Sequence, residues 1–330
     1  MPYYNKMQKY EKKSYFCIFN TTTMFFMKKS ILLAIMLLAA VAVTAQQTFT
    51  FLHRDTTDLK LDVYQPSVPR PDRACVLYMF GGGFVSGERN NEHTVKCCRM
   101  LAEKGFVAVA IDYRLYLKHA PKMKVLKAHA SFDTAIRYAV EDCCAAIAYL
   151  CRHADELHID TSRIILSGSS AGAIAVLQTD YCRANALPEA AALPASFRPA
   201  AVIPYAGAIY CANGRLKYAM PPAPTCMFHG TSDRLVNYNS FRGSIHKALY
   251  GTNRVAKVFS KNNYNYWVLR YQDRGHEIAS ILPQTIDLFC TFADAALSGR
   301  VMQYDATCVD SNVPSTDWGK VSLMGLYFAH

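Results

Sequence analysis

A serine with a glycine two residues away on either side stands near the middle of the chain, in Gly168-Ser169-Ser170-Ala171-Gly172. It follows the apolar run Ile164–Ser167 and opens a stretch of helical character that runs to about Asp180. In that setting the backbone turns sharply from strand to helix and presents the central serine, Ser170, in a strained conformation at the top of the turn. The glycines belong there because side chains at those two positions would collide with the neighbouring backbone. Ser169 is out of register with the pattern. A serine hydroxyl attacks an acyl carbon only when a base removes its proton in the same step. The pattern therefore calls for a histidine, and for a carboxylate to hold that histidine. In strand-to-helix turns of this kind the order along the chain is serine, acid, histidine.

Four histidines lie downstream of Ser170: His229, His246, His276 and His330. His276, in Arg274-Gly275-His276-Glu277, sits just past the last predicted strand, in a loop that can swing over the serine. His246 falls in a predicted outward-facing helix, and His330 is the last residue. His229 lies within a strand and is expected to pack beneath the site. His276 is thus the expected base. The expected acid is Asp233, in the turn Gly230-Thr231-Ser232-Asp233 that leaves the Cys226–His229 strand. A carboxylate there can fix the imidazole tautomer and stabilise the imidazolium formed during proton transfer. Asp273 and Glu277 are nearer in sequence, but neighbours in one loop rarely point at its ring. The competing reading of Asp233 is a turn or helix-cap aspartate.

Acyl transfer also needs preorganised N–H groups for the developing oxyanion. Phe80-Gly81-Gly82-Gly83-Phe84 follows the Cys75–Phe80 strand and lets bare backbone approach a carbonyl. The N–H groups of Gly82, Gly83 and Ala171 are the expected donors. The same glycines do not make a dinucleotide loop, because Phe84-Val85-Ser86 separates Gly83 from Gly87 and breaks the G-x-G-x-x-G spacing.

The elements that hold these residues alternate. Thr48–Phe51 and Leu59–Tyr64 switch polar and apolar side chains, as half-exposed edge strands do. Cys75–Phe80 and Phe106–Ile111 are continuous apolar runs, as buried parallel strands require. His93–Lys104 reads as a helix capped by Gly105, and Ala139–Cys151 as a helix with one apolar face. Further strands are expected at Ala201–Tyr205, Cys226–His229 and Tyr266–Tyr271. Helices are expected at Asn239–Tyr250 and Glu277–Leu297, the latter interrupted near Pro283. This alternation implies a mostly parallel sheet with helices on both faces. Leu115–Asp133 and Gly207–Pro224 are irregular inserts that would form small caps over the strand ends. Residues 301–330 show no clear periodicity.

Composition agrees with a folded enzyme: of 330 residues, 52% are hydrophobic and 18% charged, which excludes a disordered chain. Met27-Lys28-Lys29, the uncharged apolar run Ile31–Val43 and Ala45 form the three parts of a secretory signal peptide over residues 27–45. The apolar run is too short for a membrane anchor. Residues 1–26 are polar and basic and read as an extension ahead of a true start at Met27. The expected mature chain, 46–330, is one domain, exported to the periplasm or beyond. Removing 1–45 lowers the formal charge of +11 to about +6. No zinc-finger spacing, basic heptad helix or aromatic RNA signature suggests nucleic acid as a partner. Of twelve cysteines, Cys17 falls in the removed segment and the other eleven include no C-x-x-C. Export permits disulfides, yet most of these thiols are expected to act as small core hydrophobes. Lys118, His119, Lys122, Lys124, Lys127 and His129 make the first insert basic, which reads either as a steering patch for anionic substrates or as a solvated lysine face.

F-G-G-G-F at 80–84, D-Y-R-L at 112–115, G-S-S-A-G at 168–172, H-G-T-S-D at 229–233 and G-H-E at 275–277 resemble the α/β-hydrolase carboxylesterases. The likeness is greatest to the hormone-sensitive-lipase-like and acetyl-esterase-like branches and runs from about Leu59 to Leu297. Phe80 stands where that family usually begins its oxyanion loop with histidine. H-G-T-S-D is more similar to the prolyl-oligopeptidase and feruloyl-esterase side of the fold. The resemblance implies the α/β-hydrolase fold and a Ser170–His276–Asp233 triad working without metal or organic cofactor. It also implies a small-molecule or carbohydrate ester as substrate, with Arg114 and Asp142 as scaffold. The rival readings are a serine peptidase of the same fold and a binding protein that kept the fold without catalysis.

Overall fold

Strands β3 (Cys75–Met79), β4 (Val107–Ile111), β5 (Ile164–Ser169), β6 (Ala201–Tyr205) and β8 (Thr225–Gly230) are buried along their whole lengths. They form the centre of a nine-stranded sheet ordered β1-β2-β4-β3-β5-β6-β8-β11-β12. The computed structural model describes residues 46–313 except 55–56, 119–124 and 243–247, and the described residues fall in one compact unit. The expected signal segment 27–45, the extension 1–26, His246 and His330 all lie outside the described residues.

The edge strands β1 (Gln46–Arg54) and β2 (Thr57–Tyr64) pair antiparallel, and β2 joins β4 antiparallel. From β4 across to β11 (Tyr266–Tyr271) and β12 (Tyr304–Cys308) every pairing is parallel. Side chains alternate between the faces: Cys75, Leu77 and Met79 enter one core, Val76 and Tyr78 the other. Helices α1 (Glu92–Glu103) and α5 (Ile286–Leu297) cover the second face. Helices α2 (Val125–Arg152), α3 (Ala171–Ala184) and α4 (Thr252–Lys261) cover the first. Each fully buried aliphatic side chain in these layers contributes about 1.5–3 kcal/mol, so the sheet is a stiff platform for the loops at its strand ends.

Four local expectations need correction. Asn239–Tyr250 is not a helix: β9 (Ser240–Arg242) and β10 (Ala248–Gly251) lie there, and the helix begins only at Thr252. β10 pairs with β7 (Ala208–Cys211), matching Tyr250 to Ile209 and Leu249 to Tyr210. A partner some forty residues away decided the conformation, which local periodicity cannot register. By the same pairing the Gly207–Pro224 insert is partly a strand of a small second sheet, β7-β10-β9. The Leu115–Asp133 insert is irregular only at its start, since α2 begins at Val125. The final helix is shorter than expected: 3-10 turns at His276–Ser280 and Leu282–Gln284 precede α5, because Pro283 has no N–H to donate. The tail supplies β12.

The eleven cysteines of the described residues are free thiols, eight of them buried. Burial pushes the thiols of Cys97, Cys143 and Cys211 up to about 12, so they pack as small apolar groups.

Candidate active site

Strand β5 ends at Ser169, and Ser170 turns the chain into α3 with φ +51° and ψ −113°. Few non-glycine residues adopt that conformation, and its cost is of order 1–3 kcal/mol. The turn is held by the Ser170 N–H donating to Tyr205 O (2.9 Å) and by Ile174 N–H donating to Ser170 O (2.9 Å). Close packing explains the flanking glycine: a β-carbon on Gly172 would sit 2.2 Å from Met79 O and 2.6 Å from Phe80 O. The helix end therefore lies directly against the strand that carries the glycine loop.

His276 and Asp233 reach Ser170 from two further loops. The turn after β8 and the turn after β11 are stitched together by Ser232 N–H to Arg274 O (2.9 Å) and Asp273 N–H to Thr231 Oγ1 (3.0 Å). Gly230 makes the contact possible, since a β-carbon there would stand 2.2 Å from Arg274 O. His276 then places Nε2 2.8 Å from Ser170 Oγ and Nδ1 2.8 Å from Asp233 Oδ2. Three side chains 63 and 43 positions apart are thus joined by two hydrogen bonds. The expected acid, base and nucleophile are brought together, and Asp273 and Glu277 are not used: Glu277 Oε1 accepts from the Gly275 N–H (2.8 Å).

Asp233 is buried, and both its oxygens are engaged. Oδ1 accepts the N–H groups of Leu235 (2.9 Å) and Val236 (3.0 Å), and Oδ2 faces His276 and His229. Burial alone would raise its pKa, but the hydrogen bonds from His229 and His276 outweigh it and hold the carboxyl well below its ordinary value. The carboxylate is charged and fixed at neutral pH. His229, wholly buried, packs beneath the site as expected, but its contact with Asp233 was not read from sequence. The available signal was its place at the strand end, one residue before the glycine of the acid's turn.

The glycine loop forms the facing wall. Gly82 and Gly83 adopt positive φ of +123° and +63°, and both line the same cleft as Ser170 and Ala171. Ala171 is the first residue of α3, where backbone N–H groups have no acceptor within the helix. The loop is anchored by its aromatic ends: Phe80 stacks on Tyr113 at 4.5 Å, and the Tyr113 hydroxyl donates to Phe80 O (3.0 Å). The D-Y-R-L motif is scaffold. Arg89 donates to Asp112 (2.8 Å), while Arg114 engages Asp142 through its backbone N–H and its Nε at 2.8–2.9 Å. The cleft has a volume of about 630 Å³ and runs past Phe80, Phe84, Phe132, Ile174, Leu235 and His93. Aromatic and aliphatic side chains beside the Ser170 hydroxyl leave room for an acyl group of modest size.

Known proteins share the fold that carries this site. The esterase 2 of Thermogutta terrifontis superposes with a TM-score of 0.56 over 78% of this chain and 93% of that one, at 22% identity. The chain has the α/β-hydrolase fold. Within that fold, the BD-FAE family matches residues 61–187, from β2 through the nucleophile turn to the end of α3. Lipase 2 of Moraxella sp. (strain TA144) is 34% identical over 38% of this chain and 27% of its own length. The acetyl esterase of Salmonella paratyphi B is 30% identical over 33% of this chain and 29% of its own length. The α/β-hydrolase chain thus spans under a third of these two curated relatives.

Proposed function

We propose that the protein is an exported serine hydrolase that cleaves carboxylic esters through Ser170, His276 and Asp233. The observation that carries the reading is the unbroken run of hydrogen bonds from Asp233 through His276 to Ser170 Oγ, at 2.8 Å each. Ser170 Oγ attacks the ester carbonyl while His276 Nε2 takes its proton, and Asp233 holds the Nδ1–H and stabilises the imidazolium. The oxyanion is received by the N–H groups of Gly82, Gly83 and Ala171. Collapse expels the alcohol, protonated by His276, and leaves an acyl-serine. Water then repeats the sequence and releases the acid. Esters are favoured over amides because the relatives it matches are named as esterases and a lipase.

Export rests on residues 27–45, whose charged start, apolar run and small-residue end fit a cleaved signal. An exported enzyme of this kind meets external esters, free or carried on carbohydrate. The decisive experiment uses purified protein and p-nitrophenyl acetate. Ser170→Ala is expected to abolish turnover, and paraoxon is expected to leave a dialkylphosphoryl adduct on Ser170 with loss of p-nitrophenolate. The Thermogutta terrifontis esterase 2 is phosphorylated by paraoxon. Turnover retained in Ser170→Ala would end the proposal.

A further inference from the structure

His229 is the penultimate residue of β8 and takes no part in the proton path just described. Both of its ring nitrogens are nonetheless bound. Nε2 lies 2.9 Å from Val236 O, and Nδ1 lies 2.8 Å from Thr252 Oγ1. A carbonyl oxygen only accepts, so Nε2 carries a proton, and in the neutral ring the Thr252 hydroxyl donates to Nδ1. That same Nε2 is 3.2 Å from Asp233 Oδ2, the oxygen that receives His276. One carboxylate oxygen therefore lies between two imidazoles. Val236 closes the arrangement by donating its N–H to Asp233 Oδ1 and accepting from His229.

We propose that His229 is a positioning residue for the His276 base: its shared Nε2–H fixes the rotation of Asp233 and withdraws charge from Oδ2. His276 then keeps its Nδ1–H on Asp233 and turns the lone pair of Nε2 to Ser170 Oγ. This inference rests on the reading of Ser170, His276 and Asp233 as an ester-cleaving set. A residue that merely filled space under the sheet would be replaceable by any side chain of similar volume, whereas a positioning donor requires an N–H at the same place.

The ionisable groups around the His229 ring define what a pH profile would report. Asp233 and His276 face it from the site, and Glu277 beside His276 is tied to the Gly275 N–H. The Tyr238 ring lies edge-on at 5.6 Å. Arg270, its cross-strand neighbour on β11, directs its guanidinium to Tyr238 and Asp305. α4 contributes Thr252, whose hydroxyl meets Nδ1. Asp233 is the one acid within hydrogen-bond reach of the ring among the described residues. Loss of the His229 donor leaves the full charge of Oδ2 on His276, which favours the imidazolium. The acidic limb of kcat/KM, which reports the base in the free enzyme, then moves to higher pH.

The test compares His229→Leu, His229→Gln and Thr252→Val with wild type, using p-nitrophenyl acetate across pH and thermal melts for folding. His229→Leu is expected to lower kcat/KM about tenfold to a hundredfold, mainly through kcat, with the acidic limb raised by about half to one pH unit. His229→Gln, which restores an N–H near Nε2, is expected to recover most of both. Thr252→Val, which keeps the ring but frees it, is expected to move the limb in the same direction by less. A folded His229→Leu with wild-type kcat/KM and limb would overturn the proposal, as would equal losses in the Leu and Gln variants. If His229→Leu does not fold, an unshifted limb in Thr252→Val overturns it. Wild-type protein that neither turns over the ester nor takes the paraoxon adduct would instead overturn the ester-hydrolase reading beneath it.

Discussion

Replacing Asp233 by asparagine tests the site most sharply, because the substitution keeps the shape and changes only which atoms accept. In the native site Oδ1 receives two backbone N–H groups and Oδ2 receives ring nitrogens of His276 and His229. An amide has one acceptor oxygen, so its NH2 must face either Leu235 and Val236 or the two imidazoles. The second arrangement turns the His276 tautomer over, leaving Nε2–H pointed at the Ser170 hydroxyl with no lone pair to take its proton. A wrong tautomer of this kind costs about 10⁴ in kcat, or roughly 5.5 kcal/mol in the barrier. The first arrangement instead leaves buried donors opposed, at about 1–3 kcal/mol of stability each. Asp233→Asn is therefore expected to lose about 10⁴ in p-nitrophenyl acetate turnover near pH 7 and to melt earlier. The pH dependence has a definite sign. The native carboxyl is held below its ordinary 3.8, so its stabilisation is present above that value and fades as pH falls through the folded value. The melting difference between variant and wild type should narrow in acid. A folded Asp233→Asn protein with kcat within about tenfold of wild type would refute the assignment of Asp233.

Gly172→Ala places a β-carbon 2.2 Å from Met79 O. It is expected to cost about 1–3 kcal/mol by overpacking and to lower kcat by moving Ser170 away from the glycine loop; an unchanged melting temperature and kcat would contradict the close approach. Asp180, buried in α3, accepts the Ala223 N–H (3.1 Å) while its Oδ1 has no hydrogen-bond partner, and burial pushes its carboxyl up to about 7. The folded state then holds a proton that the unfolded chain has lost above pH 3.8, so stability falls between that value and 7 by a few kcal/mol. Asp180→Asn should gain relative to wild type as pH rises through that window, read by thermal melts; a gap independent of pH would contradict the burial. If the basic insert steers anionic substrates, neutralising Lys118, Lys122, Lys124 and Lys127 should lower kcat/KM for an anionic ester and flatten its salt dependence. Equal values across ionic strength would leave those lysines as a solvated face. Residues 119–124 lie outside the described residues, and Lys118 is exposed.

The candidate nucleophile was legible in the sequence because its geometry is local. A strand-to-helix turn with glycines on both sides presents its central serine at the top of the turn, and Gly172 lies close enough to Met79 O to exclude a side chain. His276 and Asp233 were legible one step removed, since strands with continuous apolar runs mark which loops leave the same edge of the sheet. The element order of the parallel core followed for the same reason. What local pattern did not carry was any pairing with a distant partner. β10 became a strand because β7 offered it a free edge, and β12 extended the sheet although its own residues show no period. The second imidazole at Asp233 belongs with these. His229 and Asp233 are near in sequence, but whether a strand residue points toward or away from the carboxylate depends on how the turn, Val236 and Thr252 fold around it. The chain's own chemistry marked which residues are candidates to react; the packing of the sheet against α4 and the loop from Gly230 to Tyr238 decided how tightly they are held.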